Sequence, residues 1–249
     1  MEERKDSVQY SDYTLIDGGT HSIAKKYMAN VFLWMFAALA ISAFSAYMFA
    51  TSETLLGYLI SSTGKGLSGL GYIVMFAPLV FVLSMSFAFN RLSAPALMAM
   101  FILYAVTTGI SLSFILLVYT SGSVLGCFTA ASAMFGIMAF MGYTTDKDLT
   151  SFGRILTMGL FGIVIASLIN WFMHSNGLSY LISIVGVAVF TGLTAYDVQK
   201  LKRIGAGLEY EGTDNTQVSK LSIMGALTLY LDFINLFLML LRLFGNRRD

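Results

Sequence analysis

LTLYLDFINLFLMLL, residues 227–241, is an almost unbroken apolar run with a carboxylate, Asp232, near its middle. VFTGLTAYDVQK, residues 189–200, carries a second, Asp197, near the end of another. The chain has 14 acidic residues, and the other twelve fall in polar tails and loops. A run this apolar and this long is the signature of a membrane-crossing helix. An ionisable group within such a span is expensive, faces protein or water rather than lipid, and marks a functional site by default.

Working outward, the rest of the chain resembles these two runs. Of its 249 residues 57% are hydrophobic and 12% charged, against about 25% charged in average soluble domains. This excludes an ordinary soluble core. The reading is an all-α, polytopic membrane protein with spans at about 27–50, 71–90, 96–118, 123–143, 154–174, 178–199 and 221–243, each near the ~20 residues that cross a bilayer. A polar N-terminal tail (1–26) precedes the seven-helix domain (27–243), and a short basic tail (244–249) follows it. The breaks are TSE at 51–53, NRLSAP at 90–95, YTTDKDLTS at 143–151 and the long polar stretch KLKRIGAGLEYEGTDNTQVSK at 200–220. Pro78 falls inside the second span, which membrane helices tolerate. Gly122 with Gly126 and Gly159 with Gly162 are expected to be surfaces for close helix contact.

Orientation follows from the basic residues of the connections. An inside N-terminus gives the inner face Arg4, Lys5, Lys25, Lys26, Arg91, Lys147, Arg154, Lys200, Lys202, Arg203 and Lys220, and the outer face only Lys65, Arg242, Arg247 and Arg248. The C-terminal arginines dissent, so either seven full crossings override them or the last segment re-enters. Seven crossings with a cytoplasmic N-terminus is the expectation. The net charge of +1 and the lack of a basic cluster offer nothing to nucleic acid. The lone Cys127 excludes an intrachain disulfide and a multi-cysteine metal site.

Thr228, Asp232, Asn235, Met239 and Arg242 share one face of the last span, which is therefore expected to be central in the bundle. Tyr104, Thr108 and Ser111 line a face of the third span and form a second candidate wall of a polar path. Depth decides whether the aspartates meet. Asp197 lies roughly 5 Å before the basic stretch and Asp232 roughly 18 Å past Lys220. They reach one level if the sixth helix extends through Leu201 or the seventh begins outside the bilayer. In contact, both could not be charged cheaply, and one proton would belong to the pair. Arg91, at the inner end of the second span, is the candidate latch for the remaining charge.

Enzyme chemistry is not expected. Gly-x-Ser-x-Gly, His-Glu-x-x-His and a Gly-x-Gly-Asp setting for either aspartate are missing, and His21 and His174 lie far apart in polar flanks.

TAYDVQK (194–200), YLDFINLFLMLLRLFG (230–245) and YTTDKDLTSFG (143–153) resemble the Bax inhibitor family of small membrane proteins. The resemblance covers about residues 25–244 and implies seven helices, the last enclosed by two three-helix layers. It implies a pH-sensitive calcium leak across a membrane, with Asp197 and Asp232 as proton sensor and weak, transient calcium contacts and Arg91 beside them. Calcium is then a transported ion and no resident cofactor is expected; lipid bilayer, calcium and protons are the partners. Eukaryotic members are associated with suppression of cell death. Some bacterial ones are thought to restrain a membrane protease, so a regulator that binds such a protease is the alternative function. The compact chain suits a bacterial inner membrane. Glu53, after the first span, is a candidate cation attractor at the outer mouth.

Overall fold

A computed structural model describes residues 21–61 and 66–248. The expected tail at residues 1–20 lies outside them. Eight helices follow in order: α1 (His21–Thr51), α2 (Glu53–Leu59), α3 (Gly69–Ala88), α4 (Ala94–Val118), α5 (Ser121–Thr144), α6 (Thr150–Met173), α7 (Asn176–Tyr210) and α8 (Asn215–Phe244). All but the short α2 are long and apolar enough to cross a membrane. Side chains at the helix starts fix most boundaries by accepting orphan backbone N–H groups. Ser68 caps α3, Ser93 caps α4, Thr120 caps α5, Ser175 caps α7 and Asp214 caps α8.

α8 is the axis of the bundle: 67% of its most apolar window is buried, against 6% for α6. It packs against α1, α4, α5 and α7. α1, α4 and α3 form a layer on one side; α5, α7 and α6 form a layer on the other, with α3 and α6 outermost. In hydrocarbon the apolar side chains of α6 gain nothing from hiding. Close packing and satisfied polar groups, rather than hydrophobicity, select the enclosed helix. The polar stripe on α8 is thus what excludes it from the lipid face.

Two boundary expectations need correction. The stretch 200–220 is mostly helix rather than loop: α7 runs on to Tyr210, and α8 starts at Asn215, leaving a turn of four residues. The extension is amphipathic, with Leu201, Gly205 and Leu208 buried on one face. A Cβ on Gly205 would lie 3.0 Å from the ring of Tyr27 and 3.5 Å from Ala24, so α7 packs on the start of α1. That start, at His21, reaches into the stretch assigned to the polar tail. A search for apolar runs ends each helix where it leaves the bilayer, but these helices continue by packing on one another.

The glycines also differ from expectation. Gly122, Gly126 and Gly162 face open space, and only Gly159 meets another helix, at Val189 of α7. The close approaches are made instead by Gly142 against the Ala195 backbone of α7 and by Gly109 against the Ser42 backbone of α1.

The last helix does not turn back. Beyond α8, Arg247 pairs with Tyr119 in an antiparallel bridge, and Asn246 O accepts from Thr120 N at 3.0 Å. The C-terminal residues are thereby tied to the α4–α5 turn. That turn lies at the far end of the bundle from the α5–α6 and α7–α8 turns, as an odd number of crossings requires.

Candidate functional site

Antiparallel packing of α7 on α8 sets the site. Met239 lies against Gly186, 2.8 Å from where a Cβ would stand, and Leu201 lies 2.9 Å from the corresponding point at Gly225. Between these two contacts Asp197 and Asp232 come together, their carboxyls within side-chain hydrogen-bonding reach. The depths agree because both anticipated adjustments occur: α7 passes Leu201, and α8 begins well before its apolar run. A hydrogen bond between two carboxyl groups requires that one of them hold a proton.

The two members differ in access. Asp232 is 5% exposed, and its Oδ2 is buried with no hydrogen-bond partner among the described residues. Asp197 lines a cleft of about 430 Å³ together with Tyr27, Lys200, Met224 and Thr228. Asp197 is therefore the outward member of the pair and Asp232 the inward one. The cation acting on Asp197 is the exposed ammonium of Lys200.

Arg91 is not brought to the pair. It is exposed in the turn after α3 and makes no ion pair among the described residues. The physical reason is the placement of α3, which packs on α4 at the edge of the bundle. Near that turn the cation engaged with the bundle is Lys220 of α8, buried, with its Nζ 4.7 Å from the Phe89 ring centre.

The candidate path residues mostly satisfy themselves locally. Thr228 donates to Met224 O at 3.1 Å and Asn235 to Leu231 O at 2.8 Å. Ser111 donates to Val74 O at 2.8 Å and to Thr107 O at 3.0 Å, joining α4 to α3. Such back-bonding is how membrane helices commonly accommodate Ser, Thr and Asn. Tyr104 and Thr108 belong to a buried cluster with Tyr230. The Tyr104 and Tyr230 rings meet edge-on at 5.3 Å, and Tyr230 Oη lies 2.7 Å from Ser42 Oγ, which donates to Ala105 O. Thr108 Oγ1 is buried with no hydrogen-bond partner among the described residues. This cluster joins α1, α4 and α8; Ser42 and Tyr230 carry no charge, and sequence patterning had no means of pairing them. Met239 is buried against Gly186, whereas Arg242 is exposed in the last turn of α8, where a cation complements the helix dipole. Cys127 is buried with its Sγ 3.7 Å from Leu240 O, a packing contact. Glu53 is exposed in the first turn of α2.

The α7 extension also holds the α5–α6 turn, which in the sequence is a break between spans and one of the motifs that carry the family resemblance. Gln199 donates to Lys147 O at 2.7 Å and accepts from Leu149 N at 2.9 Å. Arg203 pairs with Asp148 at 2.8 Å. The Thr150 hydroxyl and backbone N–H, with Arg203, hold the Asp148 carboxyl down at about 2. Because the folded value lies below the ordinary one near 3.9, the clasp contributes fully above that pH and is lost as pH falls towards about 2. The melting temperature of Asp148→Asn is expected to lie below wild type at pH 6, the gap closing as both are acidified. An equal gap at every pH would assign the loss to geometry rather than charge.

The sequence pattern of the family described as "Inhibitor of apoptosis-promoting Bax1" matches residues 24–249. The chain belongs to this family. It is 46% identical over 222 residues to the inner membrane protein YbhL of Escherichia coli K12, covering 89% of this chain and 92% of that protein. An uncharacterized protein of Borreliella burgdorferi is 42% identical, over 91% of this chain and 94% of its own. An uncharacterized membrane protein of Streptococcus pyogenes serotype M3 is 34% identical, over 94% and 96%. Membership extends from the second turn of α1 through the C-terminal bridge, so the aspartate pair lies inside the shared region.

Proposed function

We propose that this member of the Bax inhibitor family is a pH-sensitive, calcium-permeable leak protein of a bacterial inner membrane, with its N-terminus cytoplasmic. The observation that carries the reading is the contact of Asp197 with Asp232, one carboxyl opening to a cleft and the other buried behind it. The inner-membrane setting is supported by the name of the Escherichia coli relative. A cytoplasmic N-terminus puts the α7 extension and its basic residues on the inner face.

In the closed form the pair holds one proton and one negative charge, and Lys200 in the same cleft is the cation that faces it. Uptake of a further proton through Asp197 cancels the charge. The attraction to Lys200 then vanishes, leaving α7 and α8 held by packing at Gly186–Met239 and Gly225–Leu201. Lys200, not Arg91, takes the latch role in this mechanism. Calcium is cargo. It prefers six to eight oxygen ligands, and two carboxyl groups that share protons, with the Tyr27 and Thr228 hydroxyls in the same cleft, suit brief contact better than storage. Among the described residues no cluster of three or more carboxylate, histidine or cysteine donors forms.

Liposomes containing the purified protein and a trapped calcium dye test the reading. Calcium influx is expected to rise several-fold when the outside pH is lowered from 8 to 6. Influx equal to that of protein-free liposomes at every pH would eliminate the leak.

A further inference from the structure

α1 and α5 flank α8 but have no extensive contact with each other. Between them runs a groove of about 860 Å³, walled by Phe36, Leu39 and Ala40 of α1 and Phe135 and Gly136 of α5, and floored by Phe233 of α8. A second apolar groove of about 570 Å³ continues it towards α4, sharing Leu39, Ala43 and Phe128. At the opposite end the seam widens into an open cleft of about 1190 Å³. That cleft is lined by Lys25 and Met28 of α1, Tyr143 of α5, and Lys202, Glu209 and Tyr210 of α7.

Helical periodicity places these spaces along the same two helix faces. Lys25, Met28, Phe32, Phe36, Leu39 and Ala43 recur every three or four residues on one face of α1, as do Tyr143, Ala139, Phe135, Ser132 and Phe128 on one face of α5. Phe36 lies eleven residues beyond Lys25, roughly 16 Å along the axis. The hydrocarbon half of a bilayer is about 15 Å deep. With Lys25 at headgroup level, the groove therefore sits where acyl chains lie. The cleft has the chemistry of a membrane interface: two lysines, and two tyrosines at the level where amphipathic rings collect. Lys202 donates to Tyr143 O at 2.8 Å and lies 5.2 Å from that ring, which fixes its ammonium at the cleft and leaves two N–H donors. Glu209 brings the one opposing charge, and it is engaged in an interaction of its own.

We propose that the α1–α5 seam binds an anionic phospholipid, its phosphate between Lys25 and Lys202 and an acyl chain in the groove over Phe233. Basic pockets between membrane helices at the cytoplasmic end recognise anionic headgroups, and the groove adds a place for the tail. The site is separate from the aspartate pair, and its test does not depend on ion flux.

The full chain in detergent would be titrated with phosphatidylglycerol and with phosphatidylcholine, and bound lipid counted by native mass spectrometry. Phosphatidylglycerol is expected to bind more tightly. Lys25→Gln should weaken it about fivefold and Lys25→Gln with Lys202→Gln about 25-fold, with phosphatidylcholine unaffected. Gly136→Phe, which fills the groove from an exposed position, should weaken both lipids, and glycerol 3-phosphate should not displace either. Unchanged phosphatidylglycerol affinity in the lysine variants, including the single exposed Lys25→Gln, overturns the headgroup site. Competition by glycerol 3-phosphate at equal affinity, or no effect of Gly136→Phe, overturns the phospholipid assignment. Removing residues 1–20, which carry Glu2, Glu3, Asp6, Asp12 and Asp17, should leave affinity unchanged. A large gain would mean that this acidic segment is the cleft's occupant, and would likewise overturn it.

Discussion

Asp232→Asn is expected to remove the dependence of calcium flux on pH while leaving a folded, seven-span protein. Asparagine keeps the size and hydrogen-bonding reach of the carboxyl, so the contact with Asp197 survives. Its amide can donate to Asp197 as the shared proton does now. What is lost is titration: Asp197 alone remains, partly open to the cleft beside Lys200, and no second carboxylate competes for its proton. Two coupled protons give way to one simple titration, without the repulsion of a second carboxylate. Between pH 8 and 6 the variant's influx should therefore change less than twofold, against several-fold for wild type. A variant that folds and retains the wild-type pH profile would remove the pair from the sensor role while leaving the leak itself standing. Asp197→Asn is a distinct case, because its amide would enter the cleft and face Lys200. A profile altered in both variants, but differently, is what inward and outward positions predict.

Much of this arrangement is legible in the residues alone. A bilayer demands about twenty apolar residues per crossing, and few soluble sequences satisfy that seven times, so the spans emerge in number and order. Those of α3 to α6 fall within a few residues of the observed helices, while α1, α7 and α8 run six to eleven residues beyond theirs. The stripe from Thr228 to Arg242 likewise identifies α8 as enclosed, since Asp232 has no tolerable place in lipid. Depth is where sequence reading loses its grip. Whether Asp197 meets Asp232 depends on how far two helices continue past the bilayer, and Leu201, Gly205 and Leu208 reveal an amphipathic extension only once Tyr27 and Ala24 are there to pack on. Arg91 illustrates the same limit in another direction. Its depth suits a latch, but depth says nothing of position around the bundle, and α3 holds it at the periphery. Lys200 reads only as one more basic loop residue, because the apolar run ends before it. Gln199, three positions before Lys202, could have been suspected from its place inside an apolar helix end; its partners, the backbone of residues 147 and 149, could not.

Enlarging Gly142 is expected to damage the fold more than any other single glycine substitution near the pair. A Cβ there would overlap the Ala195 carbonyl oxygen and stand 2.8 Å from Ala195 Cα and 2.9 Å from its carbonyl carbon. These are backbone atoms at the centre of a long helix, so no rotamer change relieves the clash; α5 and α7 must separate. Overfilling a packed interior costs about 1–3 kcal/mol where side chains can adjust, and backbone obstruction places Gly142→Ala at or above the top of that range. The better helix propensity of alanine returns at most about 1 kcal/mol, so it does not reverse the sign. Gly142→Leu should yield little monodisperse protein in detergent. Gly126→Ala is the matched control, on the same helix but facing open space, and should melt within a degree or two of wild type. The consequence reaches the site, because Ala195 lies two residues before Asp197. Separating the helices there shifts Asp197 relative to Asp232, so any Gly142→Ala protein that folds should show a weakened pH response as well as a lowered melting temperature. A wild-type melting temperature for Gly142→Ala would mean that α5 and α7 do not cross this closely, and the same packing that sets the aspartate contact would then have to be redrawn.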